Sequence, residues 1–158
     1  MPGVVVHGQT HRPDWVGGSD PVTPIGYYEY KLYLDPGHPY ALLDPTLPIV
    51  QVGNAQWSIG VPRDLDGSRL VHCFAFVSVA GAVTVQLRRI RPSGGTVTLL
   101  STPITIDGGE KSSYLATTPP LISPANSIMQ TADEIVTDVT AADGTAAGLA
   151  VGFVLATV

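Results

Sequence analysis

The sequence predicts an all-β protein, a jelly-roll-like antiparallel β-sandwich with an extended N-terminal arm. Three observations predict it. No segment longer than ten residues keeps a clean helical period. The apolar runs are short, rich in Val, Ile, Leu and Thr, and bounded by Gly, Pro, Asp or Ser. The 158 residues include 17 glycines and 14 prolines and are only 13% charged. That composition punctuates many short elements and holds too little Lys and Glu for a helical protein.

The elements follow in order. Residues 1–48 carry eight prolines and five of the six tyrosines, and read as an arm with one strand, Tyr27–Leu34. Asp35-Pro36-Gly37-His38-Pro39 and Asp44-Pro45-Thr46-Leu47-Pro48 break the chain, so this region is the connector. Residues 49–158 read as the sandwich. Its predicted strands are Ile49–Val52, Gln56–Val61, Arg69–Val79, Val83–Ile90, Thr96–Leu100, Ile104–Ile106, Ser112–Ala116, Glu134–Val139 and Gly148–Thr157. Asp66-Gly67, Ser93-Gly94-Gly95, Asp107-Gly108-Gly109 and Asp143-Gly144 supply turn residues that accept positive φ. That many strands in the last hundred residues suggest two sheets of jelly-roll type.

Two strands carry information about packing. In Arg69–Val79, strict alternation puts Val71, Cys73, Ala75, Val77 and Val79 on one face, and Leu70, His72, Phe74, Phe76 and Ser78 on the other. Neither face is polar, and the last strand is similar. A strand of a thin sandwich is covered on both faces only if a further layer arrives. Either a neighbouring subunit or the folded-back arm supplies it, and the subunit is the more economical source. His72, Phe74 and Phe76 are the expected oligomer-facing residues. In "YYEYKLY", Tyr28, Tyr30, Leu32 and Leu34 share one face, suited to burial. Tyr27, Glu29, Lys31 and Tyr33 share the other, suited to a half-wet contact with protein or, alternatively, carbohydrate.

Composition also excludes function classes. Net charge is -5 and the arginines are scattered apart from Arg88, Arg89 and Arg91, so there is no basic footprint for nucleic acid. No run of 18 apolar residues exists to span a membrane, and the N-terminus lacks the pattern of a signal peptide. Cys73 is the single cysteine, so no intrachain disulfide forms, and it reads as a small core hydrophobe. His7 and His11 have the spacing of a helical metal pair, but the surrounding Gly and Pro oppose a helix. His72 and Cys73 are adjacent on a strand and point apart. Asp64-x-Asp66-Gly67 lacks the later ligands of a calcium loop and reads as a tight turn. Asp133, Glu134 and Asp138 form a local acidic group, of which Glu134 and Asp138 share strand parity; a glycosidase dyad would also need a cleft. No phosphate loop, dinucleotide fingerprint or nucleophile elbow is present. The expectation is a protein without catalytic residues, metal or cofactor.

Three stretches occur in order: "GVPRDLDGSRLVHCFAFVSVAGAVTVQLRRI" (Gly60–Ile90), "LLSTPITIDGGEKSSYLATTPPLISPAN" (Leu99–Asn126) and "TADEIVTDVTAADGTAAGLAVGFVL" (Thr131–Leu155). Together they resemble a β-sandwich domain of tailed-bacteriophage virion proteins, found on head decoration proteins, head fibres and tail-fibre-like proteins. The likeness spans about a hundred residues. His11 followed by Gly17-Gly18-Ser19-Asp20-Pro21 is similar to a segment in the arms of such proteins, with a longer spacing. Thr137 and Ala132 depart from the pattern, which would place an apolar residue and a glycine there.

The resemblance implies a non-enzymatic virion component assembled in the host cytoplasm, commonly trimeric. The first expectation is a head decoration protein whose partners are its own copies and the major capsid protein or another virion protein. Its arm would supply the contacts, through His11, Trp15, Gly17, Gly18, Asp20, Pro21, Tyr27 and Tyr33. Trp15 would be the apolar anchor, Gly17-Gly18 would allow close approach, and the prolines would reduce the entropy lost on docking. The alternatives are a fibre, collar or tail-tip protein that binds a receptor or host-surface glycan and, more distantly, a glycan-processing enzyme using Asp133, Glu134 or Asp138.

Overall fold

The computed structural model describes residues 6–10, 27–33 and 49–156. It is an all-β sandwich built from antiparallel sheets, as the sequence predicts. The strands are β1 (Val6–Thr10), β2 (Tyr27–Tyr33), β3 (Gly53–Gly60), β4 (Arg69–Phe76), β5 (Val83–Ile90), β6 (Thr96–Thr98), β7 (Leu100–Thr102), β8 (Ile104–Ile106), β9 (Leu121–Ile122), β10 (Glu134–Ala142) and β11 (Ala150–Ala156).

One sheet has the order β1-β2-β11-β4. The other runs β3-β10-β5, and β6 and β8 share the far edge of β5 end to end. A small third sheet pairs β7 with β9. All four predicted glycine turns form, with positive φ at Gly67, Gly94, Gly95, Gly109 and Gly144.

The core lies between the two main sheets. Val151, Phe153 and Leu155 of β11 and Leu70, Cys73 and Ala75 of β4 face inward from one sheet. Trp57, Val83, Val85, Leu87, Ile135 and Val139 do so from the other. The register of β2 sets Tyr28, Tyr30 and Leu32 opposite the core positions Leu155, Phe153 and Val151.

Several elements differ from the sequence reading. Among the described residues of the first 48 there are two strands where the sequence reading has one, because Val6–Thr10 pairs with β2. His7 is therefore in a strand, where four-residue helical spacing has no meaning. Ile49–Val52 is reduced to a single bridge from Ile49 to Ala147. Ser112–Ala116 contains a 3-10 turn, Ser113–Leu115, in which the Ser112 hydroxyl accepts the Tyr114 N–H. Short serine side chains compete with sheet hydrogen bonding in this way.

Strict alternation also fails in β4. Pairing with β11 slips between Val154 and Leu155, so Val71 is an extra residue in the ladder. Leu70 consequently shares the inner face with Cys73, Ala75 and Val77, not the outer face with Phe74.

Ala132 and Thr137 occupy telling positions. Ala132 has φ of +67°, a conformation that favours glycine. Thr137 is fully buried opposite Trp57 and Leu87, and its hydroxyl has no hydrogen-bond partner among the described residues.

Candidate contact face

The outer face of the β4–β11 sheet carries an aromatic platform. Phe74 stands opposite Gly152 in the ladder, and its ring lies across that glycine. A Cβ added at Gly152 would sit 2.2 Å from Phe74 Cζ, so only glycine leaves room for the ring. Tyr114 approaches from the 3-10 turn and stacks on both neighbours. Its centroid is 5.8 Å from that of His72 at an interplanar angle of 16°, and 5.8 Å from that of Phe74 at 20°. Its hydroxyl is 2.8 Å from His72 Nε2. Tyr114 is nevertheless 66% exposed. The platform is thus an aromatic surface whose rings support one another.

The chain itself brings this layer to β4, a source beyond the subunit or arm considered from sequence. Val77 N–H donates to Lys111 O and Ala75 N–H to Ser113 Oγ, both at 2.9 Å. These bonds fasten residues 111–113 along the edge of β4 and carry Tyr114 over its outer face. Beside the platform is an open groove of about 350 Å³, lined by Val71, His72, Tyr114, Pro119, Pro120 and Leu121 among others. Val71, Tyr114 and Leu121 are large exposed side chains, as is the neighbouring Leu115.

Of the predicted oligomer-facing residues, His72 is exposed, Phe74 is buried beneath Tyr114, and Phe76 is half-buried with Ser112 as its bridge partner. In the arm, Tyr27 and Tyr33 lie in β2 opposite Ala156 and Ala150. His11, Trp15, Gly17, Gly18, Asp20 and Pro21 lie outside the described residues. The structure adds Tyr114 and Gly152. The sequence signal for Tyr114 was its place between two serines and a proline pair, a turn rather than a strand context.

Five aspartates are engaged in holding the fold. Asp138 takes both an Arg88 ion pair and the Ala55 N–H, the latter at 2.6 Å. Asp133 is buried between Arg89 and Arg91 and accepts the Gln130 N–H. Asp66 clips Thr131, Asp107 clips Thr117, and Asp143 gathers the N–H groups of Ala82, Thr145 and Ala146. Glu134 and Asp138 do share parity, but Asp138 is committed to Arg88. Among the described residues, no three potential metal ligands come together. The Asp64–Gly67 segment is a tight turn, as expected.

These bonds set a pH response. Hydrogen bonds from Thr131, Thr117 and Ala82 hold Asp66, Asp107 and Asp143, respectively, below the usual carboxylate range, and the Arg88 bond does so for Asp138. A depressed folded-state pKa adds stability above the unfolded value, near 4, and that contribution is lost as pH falls through the folded value. The melting temperature should therefore hold between pH 7 and about 5 and fall progressively below about 4. Asp143→Asn should flatten that fall; an unchanged acid slope would show that the Asp143 cluster does not contribute to it.

In comparisons with known proteins, the chain matches no family model, no curated protein and no solved structure.

Proposed function

We propose that the chain is a non-enzymatic structural protein of a tailed-phage virion, a head decoration protein of jelly-roll type. It self-associates as a trimer and grips the capsid through its N-terminal segment. The observation that carries this reading is the division of labour on the surface. Asp66, Asp107, Asp133, Asp138 and Asp143 are absorbed in turn clips and ion pairs, while the large exposed side chains beside the groove at β4, Val71, Tyr114, Leu115 and Leu121, are aromatic or apolar. Such a surface suits protein contact better than acid–base chemistry. The three phage-like stretches, which include β4, β5, β10 and most of β11, support the same reading.

A co-sedimentation titration against empty capsids of the parent phage tests it. Trp15→Ala should weaken attachment by about 2 kcal/mol, a roughly thirtyfold loss in affinity. Replacing residues 12–20 with a Gly-Ser linker should abolish attachment while leaving β1 in place. Deleting the whole of residues 1–24 would be a poorer test, because it also removes β1. Wild-type binding by the linker variant would show that the arm is not the clamp.

The groove beside Tyr114 favours a second reading, a fibre, collar or tail-tip protein with a glycan-binding sandwich. Under that reading Tyr114→Ala would abolish adsorption to host cells, and Trp15→Ala would leave capsid attachment unchanged.

A further inference from the structure

The outer edge of β4 is taken up at both ends and open in the middle. Leu70 N–H donates to Ser127 O, Ala75 N–H to Ser113 Oγ, and Val77 N–H, just beyond the strand, to Lys111 O. These bonds fix which residues aim their backbone groups away from β11. Alternation along an antiparallel strand, counted past the extra residue Val71, adds Cys73 to that set. Its N–H and C=O therefore both point away from β11, and among the described residues neither meets a partner.

The groove beside Tyr114 runs along this stretch, and Cys73 lines it. The Cys73 side chain packs in the core, which leaves its backbone edge to border the groove. Val71, Tyr114, Pro119, Pro120 and Leu121 supply the other walls. None of the described lining residues is Asp, Glu, Lys or Arg. A neutral groove with one open donor and one open acceptor on a sheet edge is complementary to the backbone of an extended chain. The open stretch, residues 71–74, is about 13 Å long and takes three or four extended residues.

We propose that this groove binds a short, uncharged, apolar segment of a partner protein in extended form, paired with Cys73 as one added rung of the β4 edge. The partner residue opposite Cys73 then has its side chain on the inner face. Its two neighbours have theirs on the outer face, with His72, Phe74 and Tyr114. The open backbone pair favours a peptide over a glycan, since a sugar needs only the exposed ring of Tyr114. The proposal names a partner chemistry for this face and does not depend on the virion assignment.

The test titrates the full chain, by fluorescence anisotropy, with a synthetic set of acetylated and amidated heptapeptides built from Val, Ile, Thr, Tyr, Pro and Ser. Binding is expected with a Kd below about 1 mM for the best peptide. Leu121→Lys sets a charge in the groove at a side chain that is 57% exposed, and should weaken that peptide by about tenfold or more. Should Leu121→Lys melt early, Val71→Lys, at a side chain 44% exposed, reads the same groove. Backbone N-methylation, moved along the peptide one residue at a time, should abolish binding at the position paired with Cys73 and spare its neighbours, whose N–H groups point away. Three results would each overturn the proposal: no peptide binds, the folded lysine variant binds as well as wild type, or N-methylation is tolerated at every position. Neutral oligosaccharides bound in place of peptides, with the binding lost in Tyr114→Ala, would also overturn it.

Discussion

Replacing Asp133 with alanine is expected to destabilise the fold by about 3–5 kcal/mol, the cost of leaving a buried charge without its partner. Asp133 is 1% exposed and Arg89 is 7% exposed. Arg89 occupies an inward position on β5, in line with Val83, Val85 and Leu87, where an aliphatic residue would be ordinary. Its guanidinium donates to the Ile128 carbonyl and, at 2.9 Å, to the Asn126 carbonyl. Its Nε lies 3.7 Å from Asp133 Oδ2, and Arg91 Nε lies 3.3 Å from Oδ1. Arg91 Nε also donates to Asp133 Oδ2 at 3.5 Å, whereas the Arg89 contact is ionic, since Arg89 Nε has no hydrogen-bond partner among the described residues.

Burial first, and then Arg91, lower the pKa of Arg89, while Asp133 opposes them. Removing the carboxylate leaves two neighbouring cations, one of them buried, and also frees the Gln130 N–H. Asp133→Asn keeps an acceptor for that N–H and should cost less. Arg91→Ala removes a partner that is 28% exposed and should cost under about 1 kcal/mol. Urea unfolding of the three variants checks the order. If Asp133→Ala costs no more than Arg91→Ala, the buried pair is not what ties residues 126–130 to β5.

The second large effect is expected at Gly152. Gly152→Val should destabilise by about 3 kcal/mol, the upper range for overpacking a filled site. The added Cβ would meet three ring carbons of Phe74 between 2.2 and 2.7 Å away. The ring has little freedom to yield, because His72 lies beside it and Tyr114 stacks over it. Displacing it would also dismantle the aromatic platform of His72, Phe74 and Tyr114. The same substitution in a Phe74→Ala background should cost much less, and a thermal double-mutant cycle measures the difference as a coupling. Additive costs would show that Gly152 is required for backbone reasons and not for the ring.

Much of the fold was legible because its causes are local. The β5 run VTVQLRRI alternates cleanly, and its burial alternates with it. The Asp-Gly turns carry their own φ requirement. What the sequence concealed depends on partners far along the chain. The extra residue at Val71 is defined only by the pairing of β4 with β11, and nothing in "RLVHCFAF" marks which position is surplus. Asp133 looked like part of an acidic cluster because its neighbours in sequence are Glu134 and Asp138. Its neighbours in space are arginines of β5 and of the residue just beyond it, more than forty positions away. Tyr114 belongs to the contact face because residues 111–113 fasten to an edge about thirty-five positions earlier.

That fastened edge also governs how the sheet can grow. Ser113 occupies the Ala75 N–H of β4, Lys111 that of Val77 just beyond it, and Ser127 that of Leu70 at the other end, so β4 offers no continuous ladder to a stranger. The opposite margin is β1, only five residues long, whose outer side meets no other strand among the described residues. A sheet with one closed and one open margin cannot stack head to tail. Edge pairing through β1 would join like to like and stop at two copies, a closed union rather than a fibril. Crowding many copies onto one surface therefore carries little risk that this sheet will thread them into filaments.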